Sequence, residues 1–178
     1  GSDPFDSESD DDGFSDGFEV VARTNPTLLV SAPASMAFTA IDAGISETSC
    51  GILSDGELSC FGSNANGMAT PPAGAFRHVT LGDGFACALR ADYSPACWGD
   101  NGWRVVAEND PNYADISAGA QHVCGLRADG TLECWGTNSF GLFTEPVGVF
   151  RGVESGSDFA CALNETGVGN IWNAPLRE

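Results

Sequence analysis

The sequence predicts an all-β fold made of four repeats, and three observations carry that prediction. Cysteines stand at 50, 87, 124 and 161, each 37 residues after the last, and a second set at 60, 97 and 134 keeps the same step. Other positions fall in with that frame: Phe76, Tyr113 and Phe150; Val79, Ile116 and Val153; Gly82, Gly119 and Gly156; Leu89, Leu126 and Leu163. Each unit alternates short apolar runs with Gly, Asn and Pro turns and shows no sustained 3.6-residue period. That pattern fits helical solenoids poorly and predicts a β-propeller-like array, preceded by a short amino-terminal segment of different character.

Taken in chain order, residues 1–7 read as an acidic tail. From residue 8 the acids acquire a register: Glu8, Asp10 and Asp12 alternate, Gly13 follows, Asp16 is ninth and Glu19 twelfth. That is the ligand order of a twelve-residue calcium loop, with side chains from Glu8, Asp10, Asp12 and Glu19, the carbonyl of Phe14, and Asp16 directly or through water. Gly13 supplies the sharp turn. Calcium is therefore the expected cofactor, and a solvated acidic spacer is the rival reading. Glu8 stands where such loops usually begin with Asp, and Ser15 where an EF-hand places an aliphatic residue. The stretch DDDGFSDGFEVVARTNPT resembles a bacterial thrombospondin type 3 repeat, which implies a calcium-loop spacer over 8–27 on a secreted protein. Residues 28–37 then read as a linker or as a segment that covers a sheet edge.

The repeats occupy 38–178, divided as 38–74, 75–111, 112–148 and 149–178. The first joins the frame through Phe38, Ile41 and Gly44 if one residue is inserted before Cys50. Trp98, Trp135 and Trp172 follow the second cysteine position, with Phe61 in the first copy. In HVCGLRADGTLECWG, Gly130 suits the left-handed position of a three-residue hairpin loop. Pairing Leu126 with Leu132 then sets Cys124 opposite Cys134, within disulfide reach. The same logic pairs Cys50 with Cys60 and Cys87 with Cys97. Zinc and buried free thiols are the rivals, and nine residues between the members of each pair suit structural zinc poorly. In the fourth copy Ile171 stands where a partner for Cys161 is expected, so Cys161 is read as a free thiol within the chain. Gly62-Ser63-Asn64 and Gly136-Thr137-Asn138 repeat one turn chemistry, and no helix follows them that would make a phosphate cradle.

SAGAQHVCGLRADGTLECWGTNSFG resembles a repeat of the regulator of chromosome condensation superfamily, in the cysteine-stapled version found in secreted bacterial proteins and plant Crinkly-type receptor ectodomains. The resemblance implies a propeller with about one repeat per blade, usually closed by six or seven. Four repeats are few for that ring, so the expectation is a partial or oligomer-completed propeller. Members range from a nuclear exchange factor to a β-lactamase inhibitor, so the fold does not fix function; what they share is protein binding by loops at one face.

Seven arginines, no lysine and 25 acids give a net charge of −18, and a nucleic-acid footprint needs the opposite sign. No apolar run is long enough for a membrane-spanning helix. Six position-paired cysteines point to an oxidising compartment, secreted or at the cell surface. His78 and His122, the two histidines, occupy different repeat positions and accompany no nucleophile elbow. Asp55, Glu57, Asp129 and Glu133 fall in hairpins. Asn164-Glu165-Thr166 is a glycosylation sequon in a eukaryotic secretory host. The reading is a secreted, non-catalytic binding module for an extracellular protein or glycan; the alternative is a self-assembling subunit of an extracellular ring or fibre.

Overall fold

The computed structural model describes residues 37–100, 112–137 and 145–172. Within them twelve strands form four three-stranded antiparallel sheets, each meandering in chain order. The first holds β1 (Phe38–Ala43), β2 (Thr48–Leu53) and β3 (Leu58–Gly62); the second β4 (Phe76–Leu81), β5 (Phe85–Arg90) and β6 (Pro95–Gly99). The third holds β7 (Tyr113–Ala118), β8 (His122–Arg127) and β9 (Leu132–Gly136); the fourth β10 (Phe150–Ser155), β11 (Ala160–Asn164) and β12 (Gly169–Trp172). This is the expected propeller-blade array, one sheet per repeat, and β1, β4, β7 and β10 line a common cavity.

The hairpin between the second and third strands of each blade closes identically. Leu53, Arg90, Arg127 and Asn164 donate their N–H to the carbonyls of Glu57, Ser94, Thr131 and Val168 at 2.8–3.1 Å. Gly56, Gly130 and Gly167 take the left-handed position at φ 87°, 83° and 84°; in the second blade Tyr93 takes it at 69°. The carbonyl of that residue also links blades: Gly56 accepts from Phe76 N–H and Gly130 from Phe150 N–H, both at 2.8 Å. A Cβ on Gly130 would in addition lie 2.5 Å from Val149 Cγ1. Gly130→Ala is therefore expected to lose about 1–2 kcal/mol, the cost of a left-handed L-residue, in denaturant unfolding. An unchanged midpoint would contradict this.

A β-bulge falls at the same place in β4, β7 and β10, between Phe76 and His78, Tyr113 and Asp115, and Phe150 and Gly152. The turn after each first strand is closed by Gly82 N–H to Phe85 O, Gly119 to His122 and Gly156 to Phe159. The corresponding bond in the first blade runs from Gly44 to Thr48, one residue longer. The insertion inferred from the repeat frame thus sits between Gly44 and Thr48, where Glu47 has φ 56°.

These glycines answer a close approach. A Cβ on Gly119 would lie 2.1 Å from His122 Cε1 in its own blade and 2.4 Å from Gly156 O in the next; on Gly82 it would meet Phe85 and Gly119 O. The ring at 85, 122 or 159 lies on the glycine of its own turn, and the turns of successive blades touch. Asp83 N–H donates to Ala120 O and Ala120 N–H to Ser157 O.

The core lies between blades. One cluster joins Cys50, Ile52 and Cys60 to Phe76, Val79, Leu81, Ala86 and Ala88; the next joins Phe85, Cys87 and Leu89 to Tyr113, Ile116 and Val123. The third joins Cys124, Leu126 and Cys134 to Phe150, Val153, Ala160 and Ala162. The first three blades thus each have a trailing face covered by the next blade, and the last three a leading face covered by the one before. The trailing face is the one that carries the cysteines.

Candidate functional site

The cysteine register is as the hairpin geometry requires: Cys50 pairs with Cys60, Cys87 with Cys97 and Cys124 with Cys134. Counting inward from the hydrogen-bonded Arg127–Thr131 pair, alternate pairs lack mutual backbone bonds, and Cys124–Cys134 is one of these. Such pairs approach most closely, and all three cysteine pairs are disulfide-bonded with Cα–Cα 4.0 Å. The outward N–H of Cys134 is taken instead by Glu145 Oε1 at 2.9 Å. Cys161 is free, half-buried, and opposite Ile171. The calcium-loop residues Glu8, Asp10, Asp12, Phe14, Asp16 and Glu19 lie outside the described residues, as do 28–36 and the inter-blade stretches 101–111 and 138–144.

The hairpin carboxylates cap turns. Asp55 Oδ1 accepts from Glu57 N–H, Asp92 Oδ1 from Ser94, and Asp129 Oδ1 from Thr131 N–H and its hydroxyl. The hydroxyls of Ser94 and Thr131 hold the Asp92 and Asp129 carboxyls below their ordinary value. Glu133 accepts from the Tyr113 hydroxyl at 2.6 Å and pairs with Arg127, whose guanidinium lies over the Tyr113 ring. These groups brace individual blades: Tyr113, Arg127 and Glu133 all belong to the third.

The two histidines part company. His78 lines the central cavity, its Nε2 3.6 Å from Asp115 Oδ1. His122 is 1% exposed, with Nε2 buried and lacking a hydrogen-bond partner among the described residues. Burial holds its imidazole below the ordinary value, and the charge of Asp158 opposes that in part. His122 opens β8; the signal for its burial is its alignment with Phe85 and Phe159, which marks an apolar slot.

The central cavity, about 180 Å³, brings together Asp42, His78, Thr80, Asp115, Ser117 and Glu154. Its oxygens serve a relay that runs from blade to blade. Asp42 Oδ2 accepts the N–H of Leu81 at 2.7 Å, Thr80 Oγ1 that of Ala118 at 3.0 Å, and Ser117 Oγ that of Ser155 at 2.8 Å. Glu154 is the fourth member of the series, with Oε2 3.3 Å from Ser117 Oγ. The Ser117 hydroxyl is thus committed to structure, and among the described residues no group of three or more His, Cys, Asp or Glu could hold a metal. A second cavity, about 370 Å³ and mainly apolar, lies on the trailing face of the fourth blade among Cys161, Ala162, Leu163 and Ile171.

The family model described as the regulator of chromosome condensation (RCC1) repeat matches residues 38–67 and 113–142, the beginnings of the first and third repeats. A search of curated proteins found no match. Among solved structures, the CRINKLY WD40 ectodomain of the Arabidopsis thaliana receptor kinase ACR4 is 28% identical, with TM-score 0.64 over 76% of this chain and 56% of that one. The ectodomain of the Physcomitrella patens receptor kinase CR4 is 26% identical, with TM-score 0.66 over 79% of this chain and 42% of that one. Saccharomyces cerevisiae Prp20p, at 16% identity and TM-score 0.67 over 80% of this chain and 47% of that one, shares the fold. The chain spans about half the length of these structures. It carries RCC1-like repeats on a β-propeller fold similar to that of the two receptor ectodomains, and three of its blades are stapled by disulfides.

Proposed function

We propose that this protein is a secreted, non-catalytic binding module that presents the loop face of its blades to an extracellular protein or glycan. The observation that carries the reading is the placement of one disulfide in each inter-blade core, an architecture that persists only in an oxidising compartment. Similarity to two receptor ectodomains supports it. The test is capture from extracellular fluid by the immobilised chain in millimolar calcium, followed by direct titration of the captured protein or glycan. Saturable binding is expected. Absence of saturable binding with or without calcium would sink the reading.

The calcium loop belongs to the same proposal, as a spacer that stiffens when loaded. Its support is the ligand order Glu8, Asp10, Asp12, Phe14 carbonyl, Asp16 and Glu19. Calorimetry is expected to show one ion bound, and Glu19→Gln to weaken it about tenfold or more, because the twelfth position contributes two oxygens and a charge. No heat of binding at millimolar calcium would leave only the acidic spacer.

A further inference from the structure

We propose that Arg77 and Tyr93, on the second blade at the rim formed by the hairpins, anchor a carboxylate side chain of the partner, so that this rim takes an acidic, partly apolar segment of an extracellular protein. The proposal rests on the reading of the chain as a binding module and narrows it to one rim and one class of partner. Gly56, Gly130 and Gly167 fill the left-handed position of the sister hairpins, whereas the second blade puts an aromatic L-residue there at φ 69°. Glycine would close that hairpin without strain. The backbone of Tyr93 does what the fold asks, its carbonyl accepting the N–H of Tyr113 at 3.3 Å as Gly56 and Gly130 accept from the blade that follows them. Its side chain has no part in that contact: the ring is 45% exposed, and the hydroxyl makes no hydrogen bond among the described residues. Strain kept at one hairpin for a ring that enters no core points to a use outside the fold.

What touches the ring is a cation. Arg77, exposed on β4, sets its guanidinium 4.2 Å from the centre of the Tyr93 ring. A cation–π contact at an exposed site offsets only part of the cost of a left-handed L-residue. Nor does the repeat require the pair, since the third blade has Ala114 and Gly130 in the two positions and the fourth Arg151 and Gly167. Arg77 makes no ion pair or hydrogen bond among the described residues, although the chain holds 25 acids against seven arginines. Arg127 is paired with Glu133, and Arg90 donates to the carbonyl of Ala73. A guanidinium lying over a ring keeps its edge N–H groups free, in the fork that fits a carboxylate.

Charge selects both the rim and the partner. Among the described residues every arginine stands at the hairpin end of its blade, as the pairing of Phe76 with Arg90, Tyr113 with Arg127 and Phe150 with Asn164 shows. The turns at the opposite end carry Glu47, Asp83 and Asp158 and no arginine. The hairpin rim is nevertheless no seat for a polyanion. Asp55, Asp92 and Asp129 recur on it, one to each of the first three blades, so a densely sulfated chain is repelled at every step. A single carboxylate flanked by apolar side chains meets the free guanidinium instead. Apolar surface is present for the flanks: the Tyr93 ring itself and, further along the same rim, Val149, which is 53% exposed beside the Gly130 hairpin.

Titration of the isotope-labelled full chain with a capped peptide of alternating leucine and glutamate, followed by nuclear magnetic resonance, tests this. Saturable shifts of the Arg77 Nε–H and the Tyr93 amide are expected, with the glutamine counterpart of the peptide about tenfold weaker or more and a sulfated hexasaccharide weaker than either. Arg77→Gln should weaken the glutamate peptide by the same factor. Tyr93→Gly separates recognition from folding: peptide binding falls about tenfold or more, while the denaturant midpoint holds or rises because glycine relieves the left-handed strain. A midpoint that falls would show that the ring serves the hairpin and would overturn the proposal. So would a glutamate peptide that gives no saturable shift, or a glutamine peptide that binds as well. A saccharide that binds more tightly than the peptide would overturn it in favour of an anionic glycan. A protein captured from extracellular fluid that binds Tyr93→Gly as tightly as the wild type would leave the binding module standing and sink the anchor alone.

Discussion

Reducing the three disulfides is expected to unfold the blade array or leave it barely stable. Each bridge closes a loop with sequence separation 10, for which chain entropy gives about 2–3 kcal/mol. Together they contribute about 6–9 kcal/mol, against a net stability of about 5–15 kcal/mol for an ordinary domain. The position of the bridges makes the loss harder to absorb. Cys50, Cys87 and Cys124 are at most 2% exposed and sit in three different inter-blade cores, so relaxing one hairpin disturbs the seat of the next blade. Thermal unfolding with and without reductant measures the effect, and a fall in Tm of roughly 12–36 °C is expected for a unit of this size. Replacing both members of the Cys124–Cys134 pair by Ala should reproduce about a third of it, and the same treatment applied to Cys161 should do little. Non-reducing peptide maps that joined cysteines of different repeats would contradict the blade assignment and the prediction with it.

The cysteine frame was legible because the physics behind it is local and periodic. A hairpin with a fixed loop sets which residues face each other, so Cys124 opposite Cys134 follows from Gly130 and the Leu126–Leu132 pair without knowledge of the rest of the chain. The glycines at 82, 119 and 156 were legible as positions, although the reason for them, a ring in the same blade and a carbonyl in the next, needs the stacked blades. The oxygen relay was not legible. Asp42, Thr80 and Ser117 share no residue type, only a side-chain oxygen at one depth, and the inserted residue in the first turn shifts Asp42 out of the 37-residue step. Nor does sequence separate Leu163, 38% exposed, from Leu89, which is buried against the third blade. The same reasoning covers Ile171: it reads as a lost cysteine partner, and only the sheet shows that it is exposed. His122 stands on a strand, as its place before Cys124 suggests, but its burial was not legible. Two phenylalanines in sister blades mark its slot as apolar, and a single histidine in that series looks polar until the slot is seen to be closed.

That histidine carries the second large effect. With Nε2 buried and unpaired among the described residues, His122 is expected to cost about 1–3 kcal/mol relative to an apolar ring. Phe85 and Phe159 lie over Gly82 and Gly156 as His122 lies over Gly119, so the slot accepts phenylalanine in two sister blades. The cost should also depend on pH. Burial depresses the folded-state pKa of His122 below its unfolded value of 6.5. Above 6.5 both states hold the imidazole neutral and the term vanishes; below it the unfolded chain takes up a proton that the folded chain refuses, so stability falls as pH falls, by at most about 1.4 kcal/mol per pH unit, until the folded pKa is reached. Asp92 and Asp129 do not blur this window, because their lowered carboxyl pKa values put their own titration further to the acid side. His122→Phe should therefore raise the unfolding free energy by about 1–3 kcal/mol at pH 7.5 and by about 2–4 kcal/mol at pH 5.5, removing the slope between the two. Denaturant titrations of both proteins at the two pH values decide it. A variant that is stabilised equally at both would show that the imidazole titrates normally in the fold, and one that is destabilised at both would mean that His122 has a partner in the folded chain that phenylalanine cannot replace.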